Sequence, residues 1–309
     1  MAAAIEIVRT AASEYSAGRG IVPPRPHIVT TGPAGEMLFM PGYMPGLQAI
    51  GIKVWSRFEF DGASGPTTSA LIVYRDLERA IEVVMDAGYV TDMRTGALSA
   101  LACEYLAPRS ADRGAIIGAG IQARTQLEAL VTATEVTEIL IWSRTSDRAA
   151  EFVAAASVSH PGREIRLADS AAAAIDGADI VLAATTAATP VVDDRWVKPE
   201  ALVCGIGSHT RTAAEIDPRT VARAELIVVD SRQAALTGAA DIAQPIADGL
   251  IDAESVVELG EVAARGVTRS YAAPAVFKSV GFAALDVAAA KAVTDAAIDA
   301  SIGQWIDLH

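Results

Sequence analysis

Three basic residues sit where a cation needs a reason. Lys53 lies in "GIKVW", on the polar row of an alternating run whose surroundings are strongly apolar. Arg94 falls in "TDMRTG", in the first turn of a helix that Thr91 is expected to cap. There the positive end of the helix dipole opposes a cation, and a bound anion would remove the penalty. Arg25 follows "IVPP", whose prolines stiffen the chain into an extended form. Taken singly, each also reads as a solvated or ion-paired side chain. Arg57 shares the strand face of Lys53 and is a candidate for recognising a second carboxylate or polar tail, with a plain surface charge as the competing reading.

A second signal is a cradle for phosphate. In "RGAIIGAGIQARTQLEAL" an apolar strand, Ala115 to Ile117, runs into Gly118, Gly120, Ile121, Gln122 and Ala123 and directly on into a helix. Glycines at this spacing permit a tight turn and close approach of backbone to a pyrophosphate, whose charge then rests on the helix N-terminus. Alone the pattern is weak; between a strand and a helix, at the head of six strand signals, it predicts a dinucleotide site. The end of the next strand, "LIWSRTSDR", offers Ser143, Arg144 and Thr145 in place of the carboxylate that would hold both ribose hydroxyls of NAD. Two hydroxyls and a guanidinium suit a 2'-phosphate, so NADP(H) is the preferred cofactor and NAD(H) the alternative, with Asp147 nearby as the opposing feature.

The elements that must carry these residues follow from periodicity. Ile5, Val8, Ala12 and Tyr15 predict a helix beginning almost at residue 1 and ending at Gly18. "EMLFM", "AIGIKVWSRFEF" and "ALIVY" read as strands, and "TDMRTGALSALACEYLA" as a helix closed by Pro108. Beyond it, "GAIIG", "TEILIWSR", "REIRLA", "ADIVLAATT", "ALVCGIG" and "AELIVVD" alternate with helical stretches, the pattern of a parallel sheet covered on both faces. The last segment, from "YAAPAVFK" onward, reads as a strand or loop and a long Ala-rich helix with no sheet of its own, expected to pack back on the first segment.

Bulk properties exclude several classes. The chain has 309 residues, 51% hydrophobic and 20% charged, enough for two domains, and its net charge of -13 repels nucleic acid and anionic membrane alike. Cys103 and Cys204 sit far apart within apolar runs and read as reduced core residues, not as a disulfide or a metal site. With no signal pattern and no apolar run near the roughly 20 residues that span a bilayer, a cytoplasmic protein is expected.

In this order, "VPPRPHIV", "MLFMPGYM", "GIKVW", "GPTTSALIVY", "TDMRTGALSALACEYL", "GAGIQARTQ", "IWSRT", "GSHTRTAAEID" and "FKSVGFAALDVAAAK" resemble the ornithine cyclodeaminase/mu-crystallin family over nearly the whole chain. Members usually carry a strand and turn ahead of the helix that opens this sequence, so either the true start or the first strand of a dimer sheet is expected to be missing. The resemblance implies an α/β fold. A Rossmann dinucleotide-binding domain, residues 112–278, is inserted into an α+β substrate-binding and dimerisation domain, residues 1–111 plus 279–309, with a homodimer as the assembly. It implies that Arg25, Lys53 and Arg94 hold the substrate carboxylate, with Lys53 close to the reacting carbon. It also implies that Thr185, Ser208, Lys278, Ser279 and Gly281 line the cofactor on the nicotinamide side, with a surface lysine as the competing reading of Lys278.

Ser208 is the discriminating position. The resemblance implies that cyclodeaminases and some amino-acid dehydrogenases of this family carry an Asp there, which in cyclisation handles protons, whereas a serine cannot act as a carboxylate base unaided, and a dyad with His209 is not expected because neighbouring side chains point apart. The ketimine reductase branch resembles this sequence better, with Ser at the same place. The leading expectation is therefore NADPH-dependent reduction of a 2-imino carboxylate, such as pyrroline-2-carboxylate or piperideine-2-carboxylate, to an L-amino acid, with Lys53, Arg94 and Ser208 as catalytic residues. The alternatives are an alanine-type amino-acid dehydrogenase acting on an oxo carboxylate, then a cyclodeaminase or an NADPH-dependent small-ligand binder.

Overall fold

The computed structural model describes residues 1–60 and 67–307; Gly65 and Pro66, which open "GPTTSALIVY", lie outside the described residues. The first lobe begins with α1 (Ala2–Ser16), which buries Ile5, Val8, Ala11 and Ala12 at helical spacing. Then β1 (His27–Thr31), β2 (Ala34–Met44), β3 (Ala49–Phe58), β4 (Thr67–Asp76) and β5 (Ile81–Asp86) form an antiparallel sheet in sequential order. The expected runs supply the three central strands, and β1 and β5 add the edges.

Alternation along β3 is inverted from the usual apolar-inward sense. Lys53, opposite Met40 on β2 and Ile72 on β4, belongs to the row that faces the body of the chain, and all three are buried. Ile50, Leu71, Val73 and Val84 occupy the opposite face and are 44, 41, 38 and 64% exposed. A buried lysine row and an open aliphatic row on one sheet place the chemistry inside and leave the apolar surface outward.

The helix α2 (Gly88–Leu106) begins earlier than expected, so Thr91 lies within it and is not its cap. Arg94 is consequently in the second turn and buried, where the exposed first-turn dipole penalty no longer describes its situation. Small residues, Gly96, Ala97, Ser99, Ala100 and Ala102, let the middle of α2, from Arg94 to Cys103, pass buried on all sides between the lobes.

The second lobe runs β6 (Arg113–Ile117), α3 (Ile121–Ala133), β7 (Glu138–Trp142), α4 (Ser146–Ser159), β8 (Glu164–Leu167), α5 (Ala171–Ile175), β9 (Ile180–Ala183) and β10 (Leu202–Gly205). It continues with α6 (Pro218–Ala222), β11 (Leu226–Val229), α7 (Arg232–Gly238), α8 (Ala240–Ala247), β12 (Val256–Glu258), α9 (Leu259–Arg265) and β13 (Ala275–Lys278). The strands pair in parallel in the order β12-β11-β13-β10-β9-β6-β7-β8. Strand order reverses between β6 and β9, the switch point at whose carboxyl edge a doubly wound sheet opens a ligand crevice.

The last segment does not pack back on the first lobe as a whole. Its strand, β13, is not a piece of the first lobe but a central strand between β10 and β11, every residue buried. Only α10 (Ala283–Asp299) returns, packing on α1, α2 and the antiparallel sheet. Residues 279–282 therefore cross from one lobe to the other. Among the described residues no helix is long and apolar enough to cross a membrane.

Candidate active site

Where α10 returns, three elements distant in sequence converge on one carboxylate. Asp286, in the first turn of α10, is 1% exposed. Lys53 Nζ from β3 lies 2.9 Å from it, donating to Oδ1, and Arg94 Nε from α2 donates to the same oxygen at 3.1 Å. Burial presses the Lys53 ammonium down to about 8; Asp286 opposes that shift, while Arg94 and Arg25 add to it. Arg25 completes the group: half-buried, its guanidinium donates to Val280 O at 3.4 Å, and among the described residues no carboxylate pairs with it. Burial lowers its pKa too. Asp230 and Asp92 act on these cations through space only, so Arg25 keeps a guanidinium with no carboxylate in contact among the described residues, open to a bound anion.

The crossover holds this cluster against the parallel sheet. Asp230, at the end of β11 and buried, accepts at one oxygen from Ser279 Oγ (2.9 Å), Val280 N (2.9 Å) and Gly281 N (2.7 Å). Gly281 is at φ +72, and a Cβ there would stand 2.8 Å from Arg94 Nη2, so only glycine fits between the backbone and that guanidinium.

A second buried carboxylate organises the neighbouring loops. Glu215 accepts from Thr185 N (2.7 Å) and Thr185 Oγ1 (2.9 Å) with one oxygen, and from Gly207 N (2.6 Å) and Ser208 N (3.0 Å) with the other. Burial raises its pKa against these hydrogen bonds and against Lys278. Asp241 accepts from the backbone N–H of Glu215 and Ile216, at 2.7 and 2.9 Å. Lys278 is neither on the surface nor at a cavity wall: fully buried, its Nζ lies 2.8 Å from Asp241 Oδ2 and 3.9 Å from Glu215 Oε2. It lies beneath these loops as their counter-charge.

Ser208 is buried and its hydroxyl donates to Ala213 O, which turns its proton inward. His209 does not engage it; its ring stands edge-on to Trp55, centroids 6.4 Å apart.

At the switch point Gly118 has φ +123, and a Cβ there would meet Ala184 O at 2.4 Å. Gly120 is the extended N-cap of α3 with open space on its side-chain side, where a pyrophosphate fits against the free N–H groups of the first turn. Behind it, Ala123 is buried, Ile121 is 69% exposed, and Gln122 Nε2 donates to Asp92 Oδ1 of α2 at 2.5 Å. At the end of β7, Ser143 is half-buried, and Arg144 and Thr145 are exposed ahead of α4. These residues fit a dinucleotide laid across β6 and β7.

The structure brings Arg25, Lys53 and Arg94 together with Gly281, and Thr185 with Ser208. It leaves Arg57 apart: exposed, and four strand residues beyond Lys53, a Cα separation of about 13 Å with Trp55 between them. Sequence reasoning missed Asp286, Asp230 and Glu215. A signal existed for two of them, since Asp286 is a lone charge in "GFAALDVAAA" and Asp230 closes the apolar run "LIVVD".

Comparisons with known proteins agree with this fold. A sequence profile described as "Ornithine cyclodeaminase/mu-crystallin family" matches residues 1–301. Delta(1)-pyrroline-2-carboxylate reductase of Bacillus cereus is 30% identical over 302 residues, covering 96% of this chain and 92% of the relative. The structure of Thermococcus litoralis Delta(1)-pyrroline-2-carboxylate reductase with NADH and L-proline superposes with a TM-score of 0.90 at 32% identity, covering 98% of this chain and 95% of the other. An archaeal alanine dehydrogenase dimer with bound NAD also reaches 0.90, at 29% identity and with 99% and 94% covered. The chain belongs to the ornithine cyclodeaminase/mu-crystallin family.

Proposed function

We propose that this protein is a nicotinamide-dependent oxidoreductase that reduces the C=N bond of a 2-imino carboxylate, with cyclic ketimines such as pyrroline-2-carboxylate as substrates and an L-amino acid as product. The observation that carries the reading is the pair of guanidiniums beside Asp286: Arg25, with no carboxylate in contact among the described residues, and Arg94, across Gly281, can together hold a substrate carboxylate. Relatives named as pyrroline-2-carboxylate reductases support imine reduction.

Lys53 then has the part of proton donor. Its ammonium, at about 8, is charged at neutral pH yet acidic enough to yield a proton to an imine nitrogen becoming an amine. Asp286 fixes the ammonium in place, and Arg25 and Arg94 orient the C=N bond through the carboxylate. A bound reduced nicotinamide supplies the hydride to the imine carbon. Thr185 and the Ser208 loop, tied together by Glu215, would form the wall beside a bound nicotinamide. Ser208, with its proton directed to Ala213 O, serves that wall and not the proton transfer.

We also infer NADP(H) preference from Arg144, exposed and flanked by Ser143 and Thr145. The open aliphatic face of Ile50, Leu71, Val73 and Val84 supports a homodimer through the antiparallel sheet.

With pyrroline-2-carboxylate, kcat/KM declines above about pH 8 as Lys53 loses its proton. In Asp286→Asn the group that holds the Lys53 pKa up is gone, so the alkaline limb moves to lower pH and kcat drops. A limb that stays put in the variant removes Lys53 from proton donation, and NADPH oxidation with pyruvate and ammonia but not the ketimine favours an alanine-type dehydrogenase. Arg144→Ala raises KM for NADPH about 10-fold, the scale of one charged hydrogen bond, and leaves NADH within about 2-fold; equal effects on both cofactors would refute the phosphate role. Val73→Asp yields a monomer in sedimentation velocity, whereas an unchanged dimer would move the interface elsewhere.

A further inference from the structure

A cavity of about 290 Å³ opens beside Arg25, near the small end of the roughly 300–1,000 Å³ usual for small-molecule sites. Val22 and Pro23 from the extended run, Met40 of β2 and Phe282 of the crossover give it apolar walls, and Ala234 and Thr237 close it from α7. Arg25 is the one charged residue on its lining among the described residues. The hydroxyls of Tyr15 and Ser231 at its edge are 2.9 Å apart and satisfy each other.

The cavity adjoins the cation cluster at Arg25 and at Gly281. Gly281 contributes to the cavity wall, and the position of its absent Cβ is 2.8 Å from Arg94 Nη2. Because Arg25 lines the cavity itself, a carboxylate held on its guanidinium can direct the rest of the molecule into the cavity. Apolar groups gain there by leaving water, about 4-fold in binding per methylene. A second carboxylate would lose hydration against Met40 and Phe282 with no further cation on the lining, and a second ammonium would face Arg25.

We infer that this cavity is the side-chain subsite of the proposed imine reduction, on which the inference rests, and that it selects 2-imino carboxylates with an uncharged apolar side chain larger than methyl. Arg57, outside the cavity, takes no part in the selection.

The test holds the reacting bond constant and varies the side chain. N-methyl imines formed from methylamine with pyruvate, 4-methyl-2-oxopentanoate or oxaloacetate are offered with NADPH. The isobutyl imine is expected to exceed the methyl imine at least 10-fold in kcat/KM, and the carboxymethyl imine to be the poorest. Ala234→Phe, and independently Thr237→Trp from an exposed position one turn on, narrow the cavity and collapse the isobutyl-to-methyl ratio about 10-fold or more. Equal kcat/KM for the two imines, or a ratio unmoved by both variants, overturns the subsite. Calorimetry of the wild type and both variants with 4-methyl-2-oxopentanoate and with pyruvate gives a readout free of turnover. Tighter binding of the branched acid, lost in the variants, supports the subsite even if no imine is reduced, in which case the reductase reading alone falls; no preference for the branched acid overturns the subsite itself.

Discussion

Two cations of different shape meet on one buried carboxylate, and the placement of the substrate site depends on that contact. Asp286 receives Lys53 from the antiparallel sheet and Arg94 from the helix that passes between the lobes. Charges this deeply buried survive only when paired, and removing one partner of such a group costs about 3–5 kcal/mol because the others are left uncompensated. The return of α10 from the parallel sheet to the first lobe thus supplies the anion that permits Lys53 and Arg94 to be buried side by side. It also accounts for a lysine near 8: burial alone would take the ammonium lower, and Asp286 limits the fall.

The same device recurs at the carboxyl edge of the parallel sheet. Asp230 gathers Ser279, Val280 and Gly281 on one oxygen, and Glu215 gathers Thr185, Gly207 and Ser208. Loops of this kind need acceptors for their backbone N–H groups when they are drawn away from water. Carboxylates that accept several of them fix loop geometry more firmly than a single neutral bond would. Lys278 and Asp241 complete the second network from below, so that a charge expected near the cofactor surface is structural. Both networks lie under surfaces on which ligands are proposed to rest, and neither is exposed.

Much of this architecture was legible from local pattern. The strand-turn-helix around Gly118 and Gly120 is a contiguous signal, and the structure puts it at the switch point; alternating strand and helix runs gave the parallel sheet. Lys53 stood out as a charge in an apolar setting, but Arg25, Lys53 and Arg94 were joined into one group only by the family resemblance, and the structure gathers all three. Their shared anion was not, since Asp286 is 233 positions from Lys53 and contact over that span depends on tertiary topology. The start of α2 was misplaced because Thr91 resembles a cap, yet the helix is set by burial between lobes and begins at Gly88. Arg57 shows the limit of face-sharing arguments: residues on one row of a strand separate by about 7 Å at each step, and two steps remove a side chain from a compact site.

The central claim is that Lys53 is a buried ammonium tuned by Asp286 into the range where it can give up a proton. NMR titration of the Lys53 ammonium in the intact protein, assigned by its loss in Lys53→Met, tests this directly. A midpoint near 8 is the expected result, and titration at the ordinary lysine value of about 10.4 would contradict the account.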